Sequence, residues 1–229
     1  MFIQSWNATV NGLEAIASGY NDSLLCLDEI AQIEPIIAGE TSYLLFNEKG
    51  KRRANQLGIG CDPQHWKFLV LSNGEISLEE HMAQCGKKIK AGQEIRMIDI
   101  PADTGKYGCF EDLHEYRTGE EFADALSNAC NSYYGAVSKA FLTKIVNDVD
   151  FAINFSEKIQ KSFIEKNRPS KASGQVARVI KRFAIIAAGG ELATEYGLTG
   201  WERGAAMEGV AKCFNDWLIG RGGAENHEK

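Results

Sequence analysis

Two short runs constrain the fold of this chain most. Ser23–Leu27 in "NDSLLCLDEIAQIEP" and Lys67–Leu71 in "WKFLVLSNGE" are apolar at nearly every position, with no alternation of apolar and polar residues. A strand with one wet face alternates. A continuous apolar run of this length suits a strand covered on both faces, as in a parallel sheet with helices packed on either side. A third run, Ile95–Ile100 in "IRMIDIP", has the same character and is stopped by Pro101. The first hundred residues therefore predict an α/β architecture.

Helix starts are marked by a capping side chain three residues before a carboxylate: Asn11 with Glu14, Ser77 with Glu80, Thr118 with Glu121, and Thr199 with Glu202. From Thr118 onward the apolar residues recur at helical spacing and only helices are expected. The expected organisation is an α/β core over residues 1–117 and a helical subdomain over 118–229. Within the latter, "KNRPSKASG" (Lys166–Gly174) reads as a break between helices, and the polar tail from Gly222 as frayed.

The net charge of -6 argues against a uniformly basic nucleic-acid coat, so phosphate contacts must come from local islands. Three exist: Lys49–Arg53, Lys87–Arg96, and a looser one from Lys158 to Arg182. Six scattered cysteines without a C-x-x-C pair, and no charged-then-apolar leader, predict reduced thiols in a cytoplasmic protein. His81 and Cys85 stand one helical turn apart, but no second pair completes a structural zinc site. No run approaches the ~20 apolar residues that span a bilayer, so no membrane partner is expected.

The run Leu24–Leu27 ends on two adjacent acids, Asp28 and Glu29. Ligands of open α/β sheets sit outside the carboxyl ends of the strands, so both carboxylates would face that crevice. Ser72, Asn73 and Glu75 would stand beside them at the end of the second run. Nucleotide hydrolysis uses such a set: one carboxylate positions hydrated Mg²⁺, the next polarises water, and an amide on the neighbouring strand senses the γ-phosphate.

The segments "SWNATVNGLEAIASGYNDSLLCLDEIAQIEP", "SYLLFNEKGKRRAN", "WKFLVLSNGEISLEEHMAQCGKKIKAGQEIRMIDIPADTGKYGCFEDLHE" and "RVIKRFAIIAAGGELATEYGLTGWERG" together resemble the DUF927 family. That resemblance implies a helicase-like P-loop ATPase of phage, plasmid and other mobile-element proteins, with a RecA/AAA-like sheet. It implies Mg²⁺ and ATP as cofactors, Asp28 and Glu29 as Walker B with Asp28 the metal residue, and Asn73 as the sensor on the fourth strand. It further points to Arg96, or one of Lys87, Lys88 and Lys90, as a charge donated across a ring interface to a neighbour's nucleotide. Arg182 would be a second, nucleotide-binding sensor. A surface pairing of Arg96 with Glu94, and a place for Arg182 on the polar edge of an amphipathic helix, stand as alternatives.

A Gly-rich loop ending in Gly-Lys-Ser/Thr, whose amides cradle the phosphates, does not occur in the sequence. The sheet is therefore expected to be incomplete, with its first strand missing between those ending at Asn73 and Ile100. The expected partner is an upstream P-loop segment or a complementary chain, and little ATPase activity is expected without one. A different function is a degenerate, non-enzymatic domain that binds single- or double-stranded DNA or a partner through Lys49, Lys51, Arg52 and Arg53, with Trp66 near for stacking. A plain solvated turn around Gly50, or a structural fragment without activity, would account for the same residues.

Overall fold

The computed structural model describes residues 3–54 and 60–225. The chain divides into two compact units, Met1–Asp99 and Ile100–Lys229. The fold is mixed α/β, with a small parallel sheet and a majority of helix.

In the first unit, strand β1 (Ile3–Ser5) leads to helix α1 (Val10–Gly19) and strand β2 (Leu24–Asp28). Helix α2 (Pro35–Phe46) follows, then the short strands β3 (Arg53–Ala54) and β4 (Gly60–Cys61), strand β5 (Leu69–Ser72), and helices α3 (Leu78–Ala83) and α4 (Ala91–Glu94). The sheet order is β1-β2-β5, all parallel, with Ile3 beside Cys26, Cys26 beside Leu71, and Leu24 beside Leu69. Leu25 and Leu27 are buried in one core with Leu13 and Ala17 of α1, Ala38 and Leu45 of α2, and Leu78 and Met82 of α3. Residues i and i+2 share a face, so Leu24 and Cys26 lie on the other side of the sheet.

Three expectations for this unit are corrected. Ile95–Ile100 is not a strand. The amides of Arg96 and Met97 both donate to the Gln93 carbonyl, while the Gln93 side chain donates to the Gly39 carbonyl (2.7 Å) and accepts from the Lys90 amide (2.8 Å). This local turn consumes the donors that a ladder needs, and Ile95 and Met97 are used as core anchors instead. The strands are also not covered on both faces, since Leu69 and Leu71 are exposed. Finally, α1 is capped by Thr9, whose side chain accepts from the Gly12 amide, and Asn11 falls inside the first turn. The Ser77–Glu80 capping box is present in full.

The second unit begins with an irregular stretch whose Phe110, His114 and Tyr116 pack on Phe122 of the helix that follows. Five helices follow: α5 (Gly119–Ser132), α6 (Ala136–Asn147), α7 (Val149–Asn167), α8 (Gly174–Glu195) and α9 (Ala205–Gly220). Thr118 caps α5 as expected, accepting from the Glu121 amide. The break within Lys166–Gly174 also stands, separating α7 from α8. Thr199 does not cap a helix. It bonds the Thr194 hydroxyl and the Trp201 amide, and α9 starts only after Gly204, whose φ of 101° suits glycine. Of the tail, Ala224 accepts from the Ser173 amide, and residues 226–229 lie outside the described residues.

Helices α8 and α9 form the centre of this unit, through Val179, Ile180, Phe183, Phe214 and Trp217. Their crossing is close. A Cβ on Gly190 would meet that of Ala206 at 2.6 Å. One residue on, buried Glu191 accepts from the amides of Gly204 (2.9 Å) and Met207 (3.1 Å), so a carboxylate of α8 satisfies orphan donors at the start of α9. Glu191→Ala should lower stability by about 1–3 kcal/mol, the cost of leaving buried donors unsatisfied, read as a shifted denaturant midpoint.

Asp99 closes the first unit near the start of α3. Partial desolvation of its carboxyl, then the charge of Glu80, raise its pKa from 3.8 to about 6, against a hydrogen bond from the Leu78 backbone. The residue still reaches solvent, which screens part of the effect. A carboxyl that holds its proton longer when folded makes stability fall as pH rises from about 4 to about 6. Asp99→Asn should therefore raise the melting temperature at pH 7 and leave it nearly unchanged at pH 4.

Candidate functional site

The carboxyl ends of β2 and β5 bring Asp28, Glu29 and Asn73 together, as the sequence predicts. Asn73 Nδ2 donates to Asp28 Oδ1 at 2.9 Å, and its Oδ1 accepts the Glu29 amide at 2.8 Å. The Asn73 carbonyl accepts the Ile30 amide, so the residue that follows β5 holds three consecutive residues at the end of β2, Asp28 to Ile30. Asp28 and Asn73 are exposed, and Glu29 is half-buried.

Glu29 has φ 53° and ψ 88°, a left-handed conformation uncommon for a non-glycine residue, and its Oε1 accepts the Ala31 amide at 3.1 Å. The turn is close to β5. A Cβ on Gly74 would come within 2.6 Å of Ile30 Cγ2 and 3.5 Å of Glu29 Oε1, so this position has no room for a side chain.

Sequence reasoning missed β1 and what it contributes. Trp6, fully buried, donates its indole N–H to Ser72 Oγ (2.9 Å) and its backbone amide to the Asp28 carbonyl (3.2 Å), tying three strand ends together. Ser5 Oγ donates to Gln32 Oε1 at 2.6 Å. A three-residue strand offers too short a pattern to find, and "IQS" carries no apolar run.

Among the described residues, no group of three or more His, Cys, Asp and Glu could hold a metal ion. His81 is buried with Nε2 on the Ile33 carbonyl (2.7 Å), and the Cys85 thiol bonds the Met82 carbonyl. Asp28 is a single exposed carboxylate; Mg²⁺, which keeps several waters, uses one or two carboxylates together with substrate phosphates.

The other residues singled out in the sequence lie elsewhere. Arg96 donates to the Gly92 carbonyl (2.7 Å), and its guanidinium sits 4.8 Å from the Tyr43 ring centroid. Lys87 donates to the Ile36 carbonyl, while Lys88 and Lys90 are exposed. Arg182 is exposed on α8 of the second unit. No described helix is long and apolar enough to cross a membrane.

The basic segment is an arm rather than a turn at Gly50. Lys49 pairs antiparallel with His65, Gly50 donates to the Gln64 carbonyl, and β3 pairs with β4 further out. Gly50 is buried against Trp66, whose indole N–H donates to the Leu45 carbonyl. Trp66 is therefore an internal strut, unavailable for stacking on a base. Lys49, Lys51 and Arg52 are exposed, and the side chain of Arg53 and residues 55–59 lie outside the described residues.

The bridging amide can be tested directly. Asn73→Asp removes a donor and sets a third carboxylate against Asp28, so the variant should lose stability progressively as pH rises through about 4–6, a slope that Asn73→Ala lacks in thermal melts.

Residues 1–60 match the family model of DUF927, a domain of unknown function. No curated protein matches the chain. A solved structure titled "SCCmec type IV Cch - active helicase" superposes with a TM-score of 0.65 at 21% identity, covering 94% of this chain. The chain spans only 35% of that structure's own length. At this identity the likeness is one of fold. The chain thus matches the DUF927 model over residues 1–60 and shares its fold with part of a solved structure titled as a helicase.

Proposed function

We propose that this chain is the Walker B and sensor portion of a helicase-like ATPase motor acting on DNA, in mobile-element or phage replication. The observation that carries the reading is the Asn73 amide, which joins Asp28 and Glu29 across the carboxyl ends of adjacent parallel strands. The fold shared with a structure titled as an active helicase supports it.

In this reading the core is an incomplete RecA/AAA-like sheet, completed by an upstream P-loop segment or a complementary chain. Mg·ATP bound there would supply the phosphoryl group to be transferred. Asp28 would hold the hydrated cation, and Glu29, once released from the Ala31 amide, would polarise the attacking water. Asn73 fixes the spacing of both. Arg96 could serve a neighbouring subunit of a cytoplasmic ring only by leaving Tyr43, and Arg182 is the candidate second sensor. The arm carrying Lys49, Lys51, Arg52 and Arg53 contacts the DNA backbone. A second reading, a non-enzymatic nucleic-acid- or partner-binding domain, is favoured by the Glu29 carboxylate being turned back on its own loop.

Without a phosphate cradle the purified chain should bind Mg·ATP no better than at millimolar strength, about -4 kcal/mol, by calorimetry. Micromolar binding would mean that another loop replaces the P-loop. In the completed enzyme, Glu29→Gln should keep nucleotide binding and lower turnover by about a hundredfold or more. Asp28→Asn should instead weaken the Mg²⁺ dependence. Unchanged turnover in Glu29→Gln would show that this pair is not catalytic.

Alanine at Lys49, Lys51, Arg52 and Arg53 together should weaken single-strand binding in fluorescence anisotropy. It should also flatten the salt dependence by about 0.7 log unit per lost phosphate contact. The melting temperature should hardly move, because exposed charges contribute little to stability. Equal binding by the quadruple variant would remove the arm from the nucleic-acid interface.

A further inference from the structure

At the amino ends of β2 and β5, the far end of the sheet from Asp28 and Asn73, the first unit holds a cleft of about 440 Å³. That volume lies in the range of small-ligand sites. Its floor is built by a closed set of bonds. The Asp22 amide donates to the Lys67 carbonyl (2.7 Å), the Lys67 amide to Asn21 Oδ1 (2.7 Å), and Asn21 Nδ2 to Asp22 Oδ2 (3.1 Å). On the other side the Trp66 amide donates to the Glu48 carbonyl (3.2 Å), and Lys49 pairs with His65 at the root of the basic arm. Helices α1 and α2 both end here, and each is followed by a left-handed residue, Asp22 (φ 57°) and Glu48 (φ 61°). Glycine is the usual residue after a helix in that conformation. Both carboxylates of the cleft are thus carried on backbone that disfavours a side chain, a form of strain that collects at ligand sites.

The lining mixes both charges. Glu48, Lys49, His65 and Lys67 are exposed, and among the described residues their side chains have no bonded partner. A phosphate alone would meet the two carboxylates, and a simple cation would meet the two lysines. An uncharged edge that sets donors beside acceptors satisfies both kinds of group. Among the nucleobases, guanine alone places two N–H donors, N1 and N2, where a single carboxylate can accept both. Beside them stand O6 and N7, the acceptors that lysine reads. Glu48 has both oxygens uncommitted, whereas Asp22 already spends one on Asn21. From Lys49 the arm continues to Lys51 and Arg52, both exposed and available to the phosphates on either side of such a base.

We propose that this cleft binds a guanine base, with Glu48 accepting from N1–H and N2–H and Lys67 donating to O6 or N7. That the base belongs to a single DNA strand lying along the arm rests on the function proposed above. The chemistry of the cleft does not.

Two probes separate these claims. Guanine, hypoxanthine and adenine deoxynucleoside monophosphates are titrated while the Glu48 and Lys67 amides are followed by NMR. Short labelled thymidine strands with one central guanine, hypoxanthine or adenine are followed by fluorescence anisotropy. Hypoxanthine lacks only the N2 amine of guanine. In both series guanine should bind about tenfold more tightly than the other two, the discrimination expected of a bidentate base contact. Glu48→Gln offers one acceptor where two are needed, so it should bring guanine and hypoxanthine to within about twofold of each other. Equal binding of all three nucleotides, or a full guanine preference in Glu48→Gln, overturns the proposal. Uniform strand binding beside that result leaves the DNA reading standing. A guanine preference among the nucleotides with no strand binding refutes the DNA reading and keeps the base site. Absence of both kinds of binding refutes both.

Discussion

The parallel pairing of β2 with β5 is the constraint on which the first unit depends. It aligns Leu25 with Val70, buries Leu25 and Leu27 against three helices, and delivers Asp28 and Asn73 to the same end of the sheet. A slip by one residue would turn the buried leucines outward and separate the Asn73 amide from its carboxylate. Core and site are therefore set by one register. Trp6 reinforces it from β1, because its two donors reach β2 and β5 at once.

How legible this was depended on how local each signal is. The strands ending at Asp28 and before Asn73 could be found because continuous apolar runs bounded by polar residues are readable within a few positions. Their partnership could be anticipated because open sheets gather ligands at strand ends. Ile95–Ile100 misled because burial of Ile95 and Met97 looks the same in a strand as in an irregular segment. What decided it was Gln93, whose side chain accepts from the nearby Lys90 amide and donates to the Gly39 carbonyl, far away in the sequence. The expectation of a sheet covered on both faces followed from the same runs. Leu69 and Leu71 show that apolar composition records that a face needs covering, not that this stretch of chain covers it.

The helical unit was legible as helices but not in its joints. Thr118 and Ser173 act as caps, each accepting from an amide three residues on. The α8–α9 joint relies instead on Glu191, a buried acid with no sequence partner at helical spacing, and on the absence of a Cβ at Gly190. A carboxylate that caps a different helix leaves no local pattern, which is why Thr199 looked like the better start. The arm before β5 is a similar case. Its basic residues were evident, but pairing of Lys49 with His65 depends on Trp66 being pinned to Leu45.

The backbone of Glu29 has a consequence for anyone who would make this protein sturdier. A left-handed residue is where replacement by glycine relieves steric strain, and a stability screen would find that substitution early. It would also delete the carboxylate. Relief of strain at this position and retention of the acid pair are thus mutually exclusive, so selection for thermal tolerance alone would work against the chemistry here, while the same change at left-handed Asp22 or Glu48 would leave the pair intact.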